Sequence, residues 1–267
     1  MSAISTEKKI SKEKQLELTE TLGAFQAKER LGFILSRVRE DAQQFLLQSD
    51  SFQNLFLETR QCQAFVMAVD IRRSTELMLK ARTPEEFSLF ITTLCEDLKE
   101  IILDGYGVFD KFTGDGVLAF FPDFYSGDDA AYRIVSVADK CHASFERHYH
   151  AFRKSFNSVL TDVGLGIGID FGLVHLVNIA GGLTVVGVPV VYACRLSGAP
   201  SGNTFLKQPA YEQVMEKSGQ FCFIDETNLE IKHEGKMLAY DVRLNARSFA
   251  PEEPSWLREQ NGKHEMK

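Results

Sequence analysis

FDKFTGDGVLAFF, residues 109–121, sets an acid at the tip of an apolar hairpin. Two aromatic-rich runs flank Gly114–Asp115–Gly116, and glycine beside aspartate is ordinary hairpin-turn chemistry. Asp115 alone therefore says little. A second acid changes its meaning, and one is present: QAFVMAVDI (63–71) is a buried strand that ends at Asp70. Two carboxylates at two strand ends, about 45 positions apart, cannot be one local turn feature. Brought together on adjacent strands, they suit a pair of Mg²⁺ or Mn²⁺ ions. RRSTELMLKA (72–81) then starts a helix, with Ser74 or Thr75 as its cap. The backbone amides of residues 71–75 open that helix and offer a phosphate cradle. Arg72 reads either as a phosphate ligand or as a surface charge.

Outward from this pair, the chain reads as mixed α+β. Residues 7–60 carry helical spacing, either as a dimerisation helix or as a cover for the domain. TPEEFSLFITTLCEDLKEIILDG (83–105) is an amphipathic helix, with Pro84 near its start and Gly105 past its end. A second long helix spans 127–156. Strands follow at 163–171, 173–179 and 184–192. A short helix then runs from VVYACRLSG, and PAYEQVMEKSG forms another. A hairpin at 227–244 closes the fold, and the polar tail beyond about 245 is expected to be loose. This order predicts a ferredoxin-like antiparallel sheet with helices on one face. The domain reading is 1–60 helical segment, 61–245 α+β domain and 246–267 polar tail.

Composition narrows the function. The chain has 267 residues and a formal net charge of −7, which argues against a nucleic-acid surface. Its five cysteines are not spaced as a metal site, and they read as reduced thiols in a cytoplasmic protein. MSAISTEKKISKEK has no apolar run of the kind a signal peptide needs. The least charged stretch, 163–194, contains glycines, Asp170, His175 and Pro189, so it reads as buried strands and not as a membrane span. His175 and His233 read as structural or exposed, and His142, His148 and His150 as a solvated helix face. Phe120 and Phe121 read as core.

Five segments together resemble one known family, the class III nucleotidyl cyclases. They are FVMAVDIRRSTELM, FDKFTGDGVLAFF, VGLGIGIDFGLVHLVNIAG, GLTVVGVPVVYACRLSG and LEIKHEGKMLAYDV, in the family's order over roughly residues 60–245. The resemblance implies that Asp70 and Asp115 hold two divalent ions, with the Ile71 carbonyl as a further ligand. It implies that Lys111 reads the base together with Thr184. Arg195 matches the arginine that steadies the transition state, and Lys232 a phosphate-binding lysine of the closing hairpin. It further implies a homodimer with two shared sites. In each, the aspartates of one subunit face Lys111, Thr184 and Arg195 from the other. The implied reaction turns a nucleoside triphosphate into a 3′,5′-cyclic monophosphate and pyrophosphate.

Three positions depart from the family pattern. Arg73 and Ser74 replace a glycine and a phenylalanine, and Val191, next to Tyr192, replaces a ribose-orienting asparagine. These changes crowd and repolarise the nucleoside pocket. They resemble the pyrimidine cyclases of bacterial Pycsar antiphage systems, which act through a separate cyclic-nucleotide-sensing effector. If Arg73 reaches the base, its donors suit cytosine more than uracil; it could equally bind phosphate. Lys111 with Thr184 is also an adenine-reading pair, so an adenylate cyclase is the alternative. A non-catalytic, nucleotide-binding copy of the fold is a third reading, although such copies usually lose an aspartate or the arginine.

Overall fold

The computed structural model describes residues 28–198, 200–231 and 235–258. It opens with three short helices: α1 (28–35), α2 (Glu40–Gln48) and α3 (Asp50–Leu57). Strand β1 (Gln61–Arg72) leads to α4 (Ser74–Lys80) and α5 (Pro84–Asp104). The hairpin β2 (Val108–Phe112) and β3 (Val117–Pro122) follows, then α6 (Asp123–Ser126) and α7 (Ala130–Ala151). Next come β4 (Gly164–Ile179), β5 (Gly182–Val186), α8 (Val188–Leu196), β6 (Asn203–Leu206) and α9 (Gln208–Ser218). The hairpin β7 (Cys222–Ile231) and β8 (Gly235–Leu244) ends the sheet.

The strand order is β2-β3-β1-β4-β6-β8-β7, with β5 paired to the far end of β4. Every pair is antiparallel except β4 with β6. β1 is central: Val69 pairs with Val117 of β3, and Asp70 with Gly166 of β4. Its alternation divides two cores. Phe65, Met67, Val69 and Ile71 face α5, α7 and α9, whereas Ala64, Val66 and Ala68 face the opposite layer. A strand apolar at both parities is one covered on both faces.

Helices therefore cover both faces of the sheet, not one. The second layer is built by Leu31, Ile34, Val38, Phe45, Phe52 and Phe56 of the N-terminal segment together with Trp256 and Leu257. The tail is accordingly not loose through this stretch. Trp256 is 3% exposed, stacks on Tyr125 at 5.6 Å, and donates its indole N–H to the Tyr125 carbonyl at 2.8 Å. Upstream, the backbone N–H of Glu252 donates to Asp129 at 2.7 Å.

Other boundaries shift for local reasons. Of the helical run expected over 7–60, residues 7–27 lie outside the described residues. The remainder breaks at 36–39 and at Ser49, whose hydroxyl caps α3 by accepting from Phe52 N at 3.3 Å. Two expected strands merge into the 16-residue β4. The run expected over 184–192 stops at Val186, because Pro189 suits the first turn of α8. The closing hairpin begins at Cys222, five residues before its expected start. α5 matches its signals: Thr83 accepts from Glu86 N at 3.2 Å, Pro84 sits at the start, and Gly105 follows the last residue. All five cysteines are free thiols, and burial pushes Cys62 up to about 12 and Cys95 and Cys222 to about 11. Among the described residues, no helix is long and apolar enough to cross a membrane.

Candidate active site

The acid pair forms where the β2–β3 turn presses onto the end of β1. Gly114 takes φ +83°, which the first central position of such a loop requires. Thr113 N donates to Gly116 O at 2.9 Å, closing the loop. A Cβ on Gly116 would lie 2.2 Å from the Val69 carbonyl, so only glycine permits this approach. The approach brings Asp115 near Asp70. Burial pushes the Asp70 carboxyl up; the Arg72 hydrogen bond and charge oppose this, and the Asp115 charge adds to it. Arg72 Nη1 lies 2.5 Å from Asp70 Oδ2, so this arginine is an ion-pair partner of the acid.

Among the described residues, no group of three or more His, Cys, Asp or Glu is placed to hold a metal. The donors at this end are two carboxylates and the backbone of Ile71, whose side chain is buried in the core. An oxygen-only set suits a hard divalent cation, and two neighbouring carboxylates are what such a cation neutralises. The residues fit the expected ions.

Arg73 has φ +61°, a left-handed conformation that glycine adopts at no steric cost. It occupies the cap position of α4 without a capping side chain, so neither Ser74 nor Thr75 takes that place. Its guanidinium donates to Glu76 at 2.9 and 2.6 Å and to the Thr161 carbonyl. The structure thus ties Arg73 to α4 and the loop before β4.

The second set gathers on the same hairpin, at its stem. Lys111 Nζ donates to Thr184 Oγ1 at 2.9 Å, linking β2 to β5. Thr184 Oγ1 in turn donates to Asp110 Oδ2 at 2.7 Å, and Val185 N to the same oxygen at 3.4 Å. Burial pushes the Asp110 carboxyl up, while Thr184, Lys111, Val185 and Arg37 pull it back. Asp110 was not singled out from the sequence. The available signal was an acid between Phe109 and Lys111 in a short strand, a residue type rarely buried unless partnered.

A third set lies around α8. Lys207 Nζ sits 3.0 Å from the Tyr192 ring centroid and the Arg195 guanidinium 5.6 Å from it, a cation–π arrangement. Val191 is exposed. Asp170 is buried nearby, and desolvation pushes its carboxyl up to about 6 against the pull of Lys207. Lys207 and Asp170 are further members that the sequence reading did not assign. Lys232 and His233 lie outside the described residues. His175 is exposed, whereas His142 is packed inward and shares a 3.0 Å hydrogen bond with Thr204, so the helix face is not uniformly solvated. Phe120 and Phe121 are fully buried.

No protein-family model and no curated protein sequence matches this chain. Solved structures do. The adenylyl cyclase CyaB from P. aeruginosa matches with a TM-score of 0.62 at 20% identity, over 72% of this chain and 98% of its own. The guanylyl cyclase Cya2 gives 0.60 at 21%, over 70% and 94%. The guanylate cyclase domain of RhGC from Catenaria anguillulae, solved in complex with GTP, gives 0.55 at 18%, over 70% and 100%. Over about 70% of its length, a mostly antiparallel sheet with flanking helices, the chain has the fold of adenylyl and guanylyl cyclase domains.

Proposed function

We propose that this chain is a nucleotidyl cyclase that converts a nucleoside triphosphate to its 3′,5′-cyclic monophosphate. The observation that carries the reading is the assembly, around one hairpin, of two pairs: Asp115 at its tip meets Asp70 of β1, and Lys111 at its stem bonds Thr184 of β5. In the reaction the ribose 3′-hydroxyl gives up its proton to water, its oxygen bonds to the α-phosphorus, the bond from that phosphorus to the bridging oxygen breaks, and pyrophosphate leaves with that oxygen. Asp70, Asp115 and the Ile71 carbonyl hold two Mn²⁺ or Mg²⁺ ions. When bound, such ions lower the pKa of the attacking hydroxyl and neutralise the departing pyrophosphate. Arg195 supplies a planar cation where negative charge grows on the α-phosphate. Ser74, Thr75 and Lys232 bind phosphate. Positioning and charge neutralisation do most of the work in such a transfer.

Lys111 and Thr184 read the base, and Arg73, Val191 and Tyr192 shape the nucleoside pocket. We take CTP as the first substrate, with UTP the other pyrimidine, because Arg73 and Val191 stand where related cyclases carry glycine and asparagine. The product would act as a second messenger in antiphage defence, sensed by a separate effector. ATP is the second reading, favoured by the intact Lys111–Thr184 hydrogen bond. The working unit is a homodimer with two equivalent shared sites, soluble in the cytoplasm.

The test is one incubation of the purified chain with Mn²⁺ and all four nucleoside triphosphates, with cyclic products resolved by mass spectrometry. A cCMP or cUMP peak supports the pyrimidine reading. A cAMP peak alone replaces it with the adenylyl reading. No cyclic product from any nucleotide removes the cyclase reading.

A further inference from the structure

We infer that Asp110 is a positioning residue that fixes the Thr184 hydroxyl as an acceptor, and so makes the Lys111–Thr184 pair discriminate amino bases from keto bases. The inference rests on the base-reading role proposed above.

Asp110 is 1% exposed. Its burial follows from a bulge: Phe109 pairs with Ala119 and Lys111 with Leu118, which leaves Asp110 as the extra residue of β2. A bulge re-aims a side chain that strict alternation would direct elsewhere. Here it reaches β5. Oδ2 receives the Thr184 hydroxyl at 2.7 Å and the Val185 amide at 3.4 Å. Oδ1 has no hydrogen-bond partner and lies 3.8 Å from both Lys111 Nζ and Arg37 Nη1. A proton on Oδ1 would find no acceptor there, and two cations stand beside it. The geometry is that of a carboxylate.

A carboxylate only accepts, and a hydroxyl has one hydrogen. That hydrogen is committed to Asp110. One Thr184 lone pair receives Lys111 Nζ at 2.9 Å, and an ammonium only donates. What Thr184 has left is a lone pair. It accepts the exocyclic amine of cytosine or adenine and repels the keto oxygen of uracil or guanine. The remaining hydrogens of the Lys111 ammonium serve a neighbouring ring or keto acceptor of the favoured base. A polar group that meets the wrong partner in a buried site is rejected more strongly than one that loses apolar contact. The N-terminal segment takes part through Arg37, which donates to the Phe109 carbonyl at 3.4 Å and accepts from Phe109 N at 2.9 Å through its own carbonyl.

Asp110→Asn tests this. Its amide nitrogen can donate to Thr184, which frees the hydroxyl to donate to a base. The full chain with Mn²⁺ is titrated calorimetrically with the four 3′-deoxynucleoside triphosphates, which bind without a nucleophile for cyclisation. The expected result is that the wild type binds the cytosine and adenine analogues more tightly than their uracil and guanine counterparts. Asp110→Asn then narrows both ratios by about tenfold. In a Thr184→Val background the same substitution leaves the ratios unchanged, since Asp110 acts through the hydroxyl. Equal wild-type affinity for all four, no wild-type binding, a keto preference, or a common loss of affinity in Asp110→Asn would each overturn the inference. If Asp110→Asn does not fold, Thr184→Val against Thr184→Ser decides: loss of discrimination in the first alone supports it, and loss in neither overturns it. Wild-type turnover of the natural nucleotides is measured in parallel. Discriminating binding without cyclic product removes the cyclase reading and leaves this inference standing.

Discussion

Two aspartates of one hairpin, Asp115 and Asp110, have opposite surroundings. Asp115 sits half-exposed in the turn, close enough to Asp70 for its charge to help raise the Asp70 carboxyl. Asp110 is buried at the stem, between a hydroxyl, an amide and two cations. The first environment sets two carboxylates against the single Arg72 and suits a further cation from outside. The second compensates the charge within the chain and spends it on orienting a neighbour. The same side chain, five positions apart, is thus suited to ligation in one place and to positioning in the other.

If that contrast is right, turnover and stability separate along the hairpin. The largest effect belongs to the tip. Asp70→Ala and Asp115→Ala should each lower cyclic-nucleotide formation by more than about a thousandfold while the melting temperature moves little. Near-wild-type activity in either variant would break the contrast at its acidic end. Mixing Asp70→Ala with Arg195→Ala should restore roughly a quarter of wild-type activity, since half the dimers then carry one intact site of two. Mixtures that stay inactive would mean that the sites are not shared.

Stability effects come next. Trp256→Ala should cost about 3–5 kcal/mol in denaturant unfolding, the range for emptying an aromatic site in a core. A cost near zero would mean that the tail does not hold the second layer. Asp110→Ala should cost less, about 1–3 kcal/mol, because it removes the partner of a buried hydroxyl. A wild-type melt would show that Asp110 is not the knot of the stem. The last effect is one of pH. Burial pushes His142 down to about 4 from its ordinary 6.5, so the folded chain holds it neutral while the unfolded chain takes up a proton near 6.5. Its contribution is complete above that pH and declines as pH falls from about 6.5 towards 4. Stability measured across this window should flatten in His142→Gln. An unchanged slope would place the protonation elsewhere.

The tip was legible in the sequence and the stem only in part. Gly114, Asp115 and Gly116 announce their turn, and the apolar run before Asp70 announces its strand. Lys111 and Thr184 came from resemblance, and the fold joins them by a hydrogen bond. Asp110 escaped because a bulge has no periodic signature; counting by twos gives no reason to aim it at β5. β6, four residues long, is too short to show a period. Trp256 was hidden differently. Its partners Phe45, Phe52, Tyr106 and Tyr125 are scattered over the chain, and a lone aromatic in a polar tail carries no pattern. Arg73 shows the reverse case. Its departure from glycine was plain, but only the +61° backbone angle explains why glycine would be at ease there.

Trp256 is the chain's single tryptophan, and it is stacked on Tyr125 and packed on Phe45 and Phe52 of the N-terminal helices. The molecule therefore carries its own optical probe. Its emission should be blue-shifted in the native state and move to the red when α2 and α3 lift from the sheet, even where the opposite layer stays folded. Fluorescence excited at the indole would then follow the second layer alone, while circular dichroism follows the whole.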